Sequence, residues 1–274
     1  MPWPQDLLLF VAAALGGAVN SVAGGGTLLT FPALLGVGQA AIIANATSTV
    51  ALWPGALSSF WGYRSELGDS RREIALLSIP SFLGGVFGAL LLTHTSADKF
   101  AALVPYLILV ATLLFITQEP LSRWLRRRAS RAATEEQGEP AAAREHEHPS
   151  SLARWSGVLV FQFLVGVYGG YFGAGIGILM LAAFGLLGFT NIHRMNALKN
   201  LNGMCINGVA AGLFIAKGLV RWDVALLMAV GAVFGGYAGA GAARRVGQRN
   251  VRRAIIVIGF SLTIWLLVKQ IGGV

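Results

Sequence analysis

The sequence predicts an all-α integral membrane protein with two inverted repeats, each a glycine-broken helical hairpin followed by three transmembrane helices. Three observations carry this prediction. Hydrophobic residues make up 55% of the chain and charged residues 12%, about half the charged share of a soluble domain. Glycine, at 36 of 274 residues, recurs inside long apolar runs, as in packed transmembrane helices. Basic residues cluster in the gaps between those runs, which is typical of a protein that crosses the membrane several times.

Eight apolar segments follow one another along the chain. They cover residues 7–37, 41–61, 74–93, 99–117, 154–187, 195–216, 223–243 and 254–270. About 20 apolar residues cross a bilayer, so six of these segments fit single crossings. The first and the fifth are too long for one crossing and are interrupted by glycines. We expect each to enter the membrane, turn at its glycines and return, which gives eight to ten membrane segments in all.

A polar stretch at residues 118–153 separates the two halves. It contains three consecutive arginines, Arg126 to Arg128, and is rich in Ala, Glu and Arg. Such a composition is typical of a solvated segment, so we expect a cytoplasmic linker with a helical turn or two. The predicted organisation is therefore a first membrane repeat at 1–117, the linker at 118–153 and a second membrane repeat at 154–274.

The two halves resemble each other in the order of their motifs. The matches along the chain are Gly24 with Gly175, Gly26 with Gly177, Asn45-Ala46 with Asn196-Ala197, and the GGVFG of 84–88 with the GAVFG of 231–235. Single glycine matches mean little in a glycine-rich chain, but this ordered succession indicates an internal repeat.

The distribution of basic residues decides between two topologies. If each long segment crossed once and the loop 62–73 were cytoplasmic, the loop 244–253 with its five arginines would be external, contrary to the positive-inside rule. If each long segment turns back, sixteen of the 21 Lys and Arg residues face the cytoplasm and four face outward. The second topology inverts one half relative to the other. Inverted repeats with interrupted helices are the architecture of many secondary transporters, whose substrate site lies at the midplane between the repeats.

The glycine turns are the first candidate site. Glycines let the backbone turn sharply, and a helix beginning at Thr27 would present its positive end there, which favours an anion. The candidate residues in the first half are Asn20, Ser21, Gly24, Gly25, Gly26 and Thr27, and their counterparts in the second half are Gly173, Gly175 and Gly177. The alternative is that these glycines only permit close packing of helices.

The start of the next helix in each half is the second candidate. It supplies Asn45, Thr47 and Ser48 in the first half, and Asn196, Lys199, Asn200 and Asn202 in the second. Lys199 is the only charged residue well inside an apolar segment, and an intramembrane cation is costly enough to indicate a function. The alternative is that its side chain snorkels to the cytoplasmic surface.

Several other classes of protein are disfavoured. The metalloprotease, serine-hydrolase and phosphate-loop motifs are absent, and no carboxylate pair lies deep in an apolar segment, so we expect no enzyme, no catalytic residue, no metal and no cofactor. The basic residues lie in short gaps rather than on a soluble domain, which argues against nucleic acid. The expected partners are a small anionic substrate and the lipid bilayer. Whether the chain forms a homo-oligomer is left open by the sequence.

Several motifs resemble those of the TauE/SafE sulfite-exporter family, also called the 4-toluene sulfonate uptake permeases. They are GGGTLLTFP at 24–32, NATSTVALWPG at 45–55, NALKN at 196–200, Trp222 before the next span, and Gly235-Gly236-Tyr237-x-Gly239 leading into Arg244-Arg245. The resemblance covers both halves and leaves out only the linker. It implies an inner-membrane permease for sulfur-containing or organic anions, such as sulfite, sulfonates or sulfoacetate. Two alternatives remain, a passive anion channel and a membrane scaffold or sensor without transport activity.

Overall fold

The computed structural model describes residues 3–22, 25–67, 71–136, 152–187, 189, 191–246 and 248–272, and within these ranges the chain forms helices joined by short turns. The α-helices are α1 (Trp3–Val22), α2 (Thr27–Gly36), α3 (Ala41–Tyr63), α4 (Arg71–His94), α5 (Ala97–Glu136), α6 (Leu152–Tyr171), α7 (Ile176–Leu186), α8 (Ile192–Ala216), α9 (Trp222–Val246) and α10 (Gln248–Gly272). A short 3-10 helix, Arg64–Leu67, follows α3. The all-helical class predicted from composition is confirmed.

Several of these helices are apolar enough for a membrane. Among the described residues, three stretches are both long and apolar enough to cross it: Arg72–His94, Ala97–Leu125 and Ile255–Gly272. Four further apolar helices are shorter: Thr27–Gly36, Trp155–Tyr171, Ile176–Gly185 and Trp222–Tyr237. Large apolar side chains such as Phe87, Leu226 and Ile264 lie exposed on the outer helix faces, as expected where lipid replaces water.

The predicted linker is helical over a longer stretch than its composition suggested. Helix α5 continues from the apolar region through Arg126 to Glu136, because the Arg, Ala and Glu residues that follow are good helix formers. The next described helix begins at Leu152. Residues 137–151, the middle of the predicted linker, lie outside the described residues.

Both long apolar segments are broken helices, as their glycines predicted. A full-length helix, α1 or α6, is followed after a short break by a helix of about half its length, α2 or α7. Each of the longer helices measures about 30 Å at 1.5 Å per residue. In the second break Gly173 and Gly175 both have φ of 83°, a left-handed conformation that only glycine adopts without strain. The helical hydrogen bonds therefore stop there, and α7 starts afresh at Ile176.

Helices of one half of the chain pack mainly on helices of the other half. Helix α1 lies against α9, and α4 lies against α6, so each broken helix is held by a long helix of the other half. Glycines permit the close approach. A Cβ on Gly88 of α4 would collide with the carbonyl oxygen of Val167, and one on Gly235 of α9 would collide with that of Ala14. Equivalent glycines thus perform the same task in both contacts.

Helices α3 and α8 meet at the centre of the molecule. Each packs against the other and against a long helix of the opposite half, α9 for α3 and α4 for α8. The Trp53 indole of α3 donates a hydrogen bond of 3.2 Å to the carbonyl oxygen of Met204 in α8. The half-length helices α2 and α7 lead from the two breaks into α3 and α8. Residues beside both breaks and residues of α3 and α8 line one central space.

Candidate substrate cavity

A cavity of about 60 Å³ lies between the two breaks and the facing sides of α3 and α8. Its walls come from both halves of the chain. They are formed by Asn20, Thr27, Thr49, Leu52, Ala56, Phe172, Gly173, Ile176, Gly177, Met180, Lys199, Asn200, Gly203, Met204 and Asn207. This volume is room for a few water molecules, or for a solute of a few heavy atoms.

Lys199 supplies the charge of this cavity. Among the residues that line it, Lys199 is the only one that titrates or carries a charge. Its side chain is almost fully buried, with a relative exposure of 4%. The ammonium nitrogen Nζ makes no hydrogen bond to any described residue. A buried cation without a partner is costly. An anion bound in the cavity would compensate this charge.

Three asparagine side chains line the same cavity as the lysine. Asn200 lines the cavity, and its Nδ2 is buried without a hydrogen bond to the described residues. Asn20 faces the cavity from the end of α1, and its Oδ1 accepts a hydrogen bond of 3.0 Å from the backbone N–H of Gly26. Asn207 completes the set from α8. Amide N–H groups donate to anions without carrying a charge of their own.

The sequence-predicted site residues divide into two groups. Those that line the cavity are Asn20, Thr27, Gly173, Gly177, Lys199 and Asn200. Those that are described but do not line it are Gly25, Gly26, Asn45, Thr47, Ser48, Gly175, Asn196 and Asn202. Gly24 and the side chain of Ser21 lie outside what the structure describes.

Members of the second group hold the broken helices in place. Asn45 Nδ2 donates a hydrogen bond of 3.0 Å to the carbonyl oxygen of Tyr171, the last residue of α6. The hydroxyls of Ser48 and Thr30 lie 2.6 Å apart, which links α3 to α2. Thr47 Oγ1 accepts a hydrogen bond of 3.1 Å from the backbone N–H of Arg221.

Asn202 forms a polar contact with α4 and does not line the cavity. Its Oδ1 accepts a hydrogen bond of 3.1 Å from the Ser78 hydroxyl of α4. Nearby along α4, the Gln162 amide of α6 donates to the Ser81 hydroxyl at 2.8 Å. These contacts tie α4 to α8 and to α6, so α4 is anchored on both sides.

The glycines of the first break also pack closely, as the alternative interpretation proposed. A Cβ on Gly26 would collide with the carbonyl oxygen of Gly16 in α1, and one on Gly25 would lie 2.9 Å from the Phe115 ring. Gly26 has helical backbone angles, with φ of −59°, so these glycines serve close packing rather than a left-handed turn. The helix α2 nevertheless begins at Thr27, where the sequence predicted it.

Helical periodicity carried a signal for wall residues that the sequence interpretation did not select. Thr49, Leu52 and Ala56 line the cavity from α3, and Asn200, Gly203 and Asn207 line it from α8. Each set is spaced i, i+3, i+7, which is one face of a helix. Counted from the predicted Asn200, this spacing leads to Gly203 and Asn207.

The family model described as sulfite exporter TauE/SafE matches residues 9–266. The chain belongs to the sulfite exporter TauE/SafE family. The resemblance read from the sequence motifs is thereby confirmed. No solved structure matches the chain with statistical significance.

Curated relatives of this TauE/SafE chain agree with that assignment. A "Probable membrane transporter protein" of Haemophilus influenzae is 29% identical over 268 residues, which cover 97% of this chain and 96% of the relative. The "Probable membrane transporter protein YfcA" of Escherichia coli K12 is 29% identical over 276 residues, covering 97% and 90%. A third relative, "Probable membrane transporter protein ORF9" of a Sinorhizobium species, is 27% identical over 259 residues, covering 94% and 91%. Family, relatives and apolar helices together make this chain a multi-pass membrane transporter.

Arginine contacts join the two halves of the TauE/SafE fold at both ends of the central helices. At one end, Arg194 at the start of α8 forms an ion pair with Glu73 at the start of α4. At the other end, Arg221 forms an ion pair of 2.7 Å with Asp223, and its guanidinium donates to Gln39 Oε1 at 3.4 Å. The cavity therefore lies between two sets of polar contacts that tie the halves together.

Proposed function

We propose that this chain is a secondary transporter of the cell inner membrane for sulfur-containing or organic anions, such as sulfite, sulfonates or sulfoacetate. The anion binds in the central cavity beside Lys199, between two inverted repeats. The observation that carries the proposal is Lys199, which lines this cavity and whose buried ammonium makes no hydrogen bond to any described residue.

The chemistry of the cavity supports an anion rather than a cation or a neutral solute. Its lining includes one ammonium group and three asparagine amides but no carboxylate. An unpaired ammonium repels a cation and gains nothing from an apolar solute, whereas an anion compensates its charge and can accept from the amides as well. Burial of Lys199 also argues against the snorkelling alternative, which requires its nitrogen to reach the surface.

The size of the cavity favours small anions. A space of about 60 Å³ matches a few water molecules, so an oxyanion of a few heavy atoms fits without movement of the walls. Sulfite and short sulfonates are therefore the first substrates to test.

Contacts at the helix ends support the inverted arrangement. Glu73 and Arg194 put the starts of α4 and α8 at the same end of the molecule. Arg221 contacts Gln39 and Thr47, which puts the start of α3 beside the start of α9 at the other end. The equivalent helices α3 and α8 thus run in opposite directions, as inverted repeats require.

The roles of the remaining site residues follow from their contacts. Asn20, Thr27, Gly173, Gly177 and Asn200 bind the anion together with Lys199. Each of the other described ones shapes the broken helices or their supports around it, and these are Gly25, Gly26, Asn45, Thr47, Ser48, Gly175, Asn196 and Asn202. Ser21 and Gly24 stay site residues predicted from the sequence. The membrane repeats are 1–117 and 154–274, and the linker 118–153 faces the cytoplasm.

Substitution of Lys199 tests the site directly. In Lys199→Met, anion affinity should fall about tenfold or more, since hydrogen bonds to charged groups contribute about 1.5–3 kcal/mol. The fold should persist because methionine fills the same space without an unpaired charge. The measurements are uptake of ³⁵S-labelled sulfite into proteoliposomes and the thermal midpoint in detergent.

Lys217→Met is the matched control, because Lys217 caps the same helix α8 from an exposed position and should leave affinity unchanged. Equal affinities for wild type and Lys199→Met would remove Lys199 from the site. A wild-type protein that moves no sulfite, sulfonate or carboxylate under any ion gradient would overturn the proposed function.

A further inference from the structure

The geometry of the cavity points to Lys199 as a proton site as well as an anion site: we propose that its amine takes up one proton when the anion binds, so that anion and proton cross the membrane together. This inference rests on the proposed function, because it assigns the coupling ion of the same site. It identifies the co-transported ion as H⁺ and this chain's own Lys199 as the group that carries it.

The empty cavity provides nothing to stabilise a charged lysine. Lys199 Nζ is buried and makes no hydrogen bond to any described residue, and the walls around it contain amides, small residues and apolar side chains. A few water molecules replace only part of the hydration that an ammonium has in bulk water. The empty cavity therefore disfavours the ammonium form, and at alkaline pH the amine is neutral before the anion binds.

Titratable groups on the neighbouring helices contact other partners or lie exposed. On α4, the carboxylate of Glu73 binds Arg194, and His94 is exposed at the last turn. On α6, the Tyr168 hydroxyl donates to the carbonyl oxygen of Ala174 at 2.8 Å. The Tyr171 hydroxyl of α6 lies 3.5 Å from the Thr95 hydroxyl.

The other elements packed against α8 add no counter-ion. Helix α7 contains no titratable residue, and the described side chains of α3 include none either. Glu66 of the 3-10 helix is exposed, as are Asp98 and Lys99 at the start of α5. On α8 itself Cys205 is a half-buried free thiol. No described carboxylate lines the cavity to hold Lys199 in its charged form.

An entering anion reverses this balance. The negative charge stabilises the ammonium, so the amine binds a proton from water on the side to which the cavity is open. When the cavity opens to the other side, the anion leaves and the ammonium returns its proton to water there. The neutral amine then completes the cycle. At alkaline pH one proton accompanies each anion, so transport of a monoanion there moves no net charge.

Binding of methanesulfonate provides the test, since this strong-acid anion carries no proton of its own. In detergent-solubilised full-length protein, calorimetry in buffers of different ionisation enthalpy should show uptake of about one proton per anion at alkaline pH, as linkage of the two binding steps requires. Its apparent Kd should rise about tenfold per pH unit on the alkaline side. Binding without proton uptake and with a Kd independent of pH would overturn the inference.

Lys199→Arg separates charge from titration. A guanidinium stays protonated at every accessible pH, so this variant should bind methanesulfonate with a Kd that no longer depends on alkaline pH and with no proton uptake. Lys217→Arg, at the exposed end of the same helix, should behave as wild type. A steep alkaline dependence that persists in Lys199→Arg would assign the proton to another group. The wild-type profile alone decides the question if Lys199→Arg does not fold.

Transport distinguishes failure of this inference from failure of the proposed function. In proteoliposomes loaded with a fluorescent pH indicator, an inward methanesulfonate gradient should acidify the lumen, and an imposed membrane potential should not change the rate. Uptake without acidification would overturn proton coupling while leaving the anion transporter intact. Absence of both binding and uptake for methanesulfonate and sulfite would overturn the two together.

Discussion

Asn20 and Gly173 show how one site is assembled from two similar halves that are chemically unequal. Both lie at the break of a long helix and both line the cavity. Asn20 supplies an amide side chain, whereas Gly173 supplies only backbone. Ser48 and Lys199 occupy corresponding places in α3 and α8, where Ser48 bonds to Thr30 and Lys199 faces the cavity. Of these two corresponding positions, only residue 199 carries a charge.

Asn200→Asp places a carboxylate in this cavity. Because the new negative charge repels an anion and compensates Lys199, anion affinity should fall about tenfold or more, while the thermal midpoint holds or rises. Asn191→Asp is the matched control, since Asn191 is the exposed N-cap of the same helix and Asp caps as well as Asn. Unchanged anion affinity in Asn200→Asp would show that residue 200 does not face the bound anion.

The sequence identified Lys199 because a charge inside an apolar segment stands out, but it could not separate wall residues from supports. Asn45 looked like a binding residue by type, and the structure engages its Nδ2 with Tyr171. That contact joins residues far apart along the chain and depends on how the halves pack. Residue type and local spacing therefore do not predict this contact.

At the level of elements, the breaks of the two long helices followed from their glycines, and α2 begins at the predicted Thr27. The length of α5 was not predicted, because a charged stretch of good helix formers reads equally well as solvated linker or as helix. The exchange of partners, α1 with α9 and α4 with α6, could not be foreseen either. Glycine-rich faces indicate close packing but do not name the helix they contact.

Gly88→Ala tests the contact between α4 and α6. A Cβ at this position meets the backbone of Val167, which cannot move as a side chain can, so the variant should lose about 1–3 kcal/mol of stability. Gly212→Ala in α8 has no heavy atom near its Cβ and should hold stability or raise it slightly. Thermal midpoints in detergent measure both, and equal midpoints would show that the helices do not approach this closely.

For the whole molecule, the inverted topology makes a prediction about sidedness. In a Cys205→Ala background, a cysteine at Glu66 should react with a membrane-impermeant thiol reagent only from the cytoplasmic side. A cysteine at Lys217 should react only from outside. Both positions are exposed, so reactivity reports sidedness rather than burial, and inside-out vesicles provide the reverse measurement. Labelling of both cysteines from one side would contradict the inverted repeats.

The exchange of helices between halves also constrains how the protein is made. Helix α1 packs on α9, which begins about 200 residues later in the chain and leaves the ribosome on the order of tens of seconds after α1, at about 5–20 residues per second. During that interval the glycine face of α1 has only lipid or the insertion machinery to contact. The first half therefore cannot reach its final packing by itself, and biogenesis of this protein ends with a docking step that waits for the last helices.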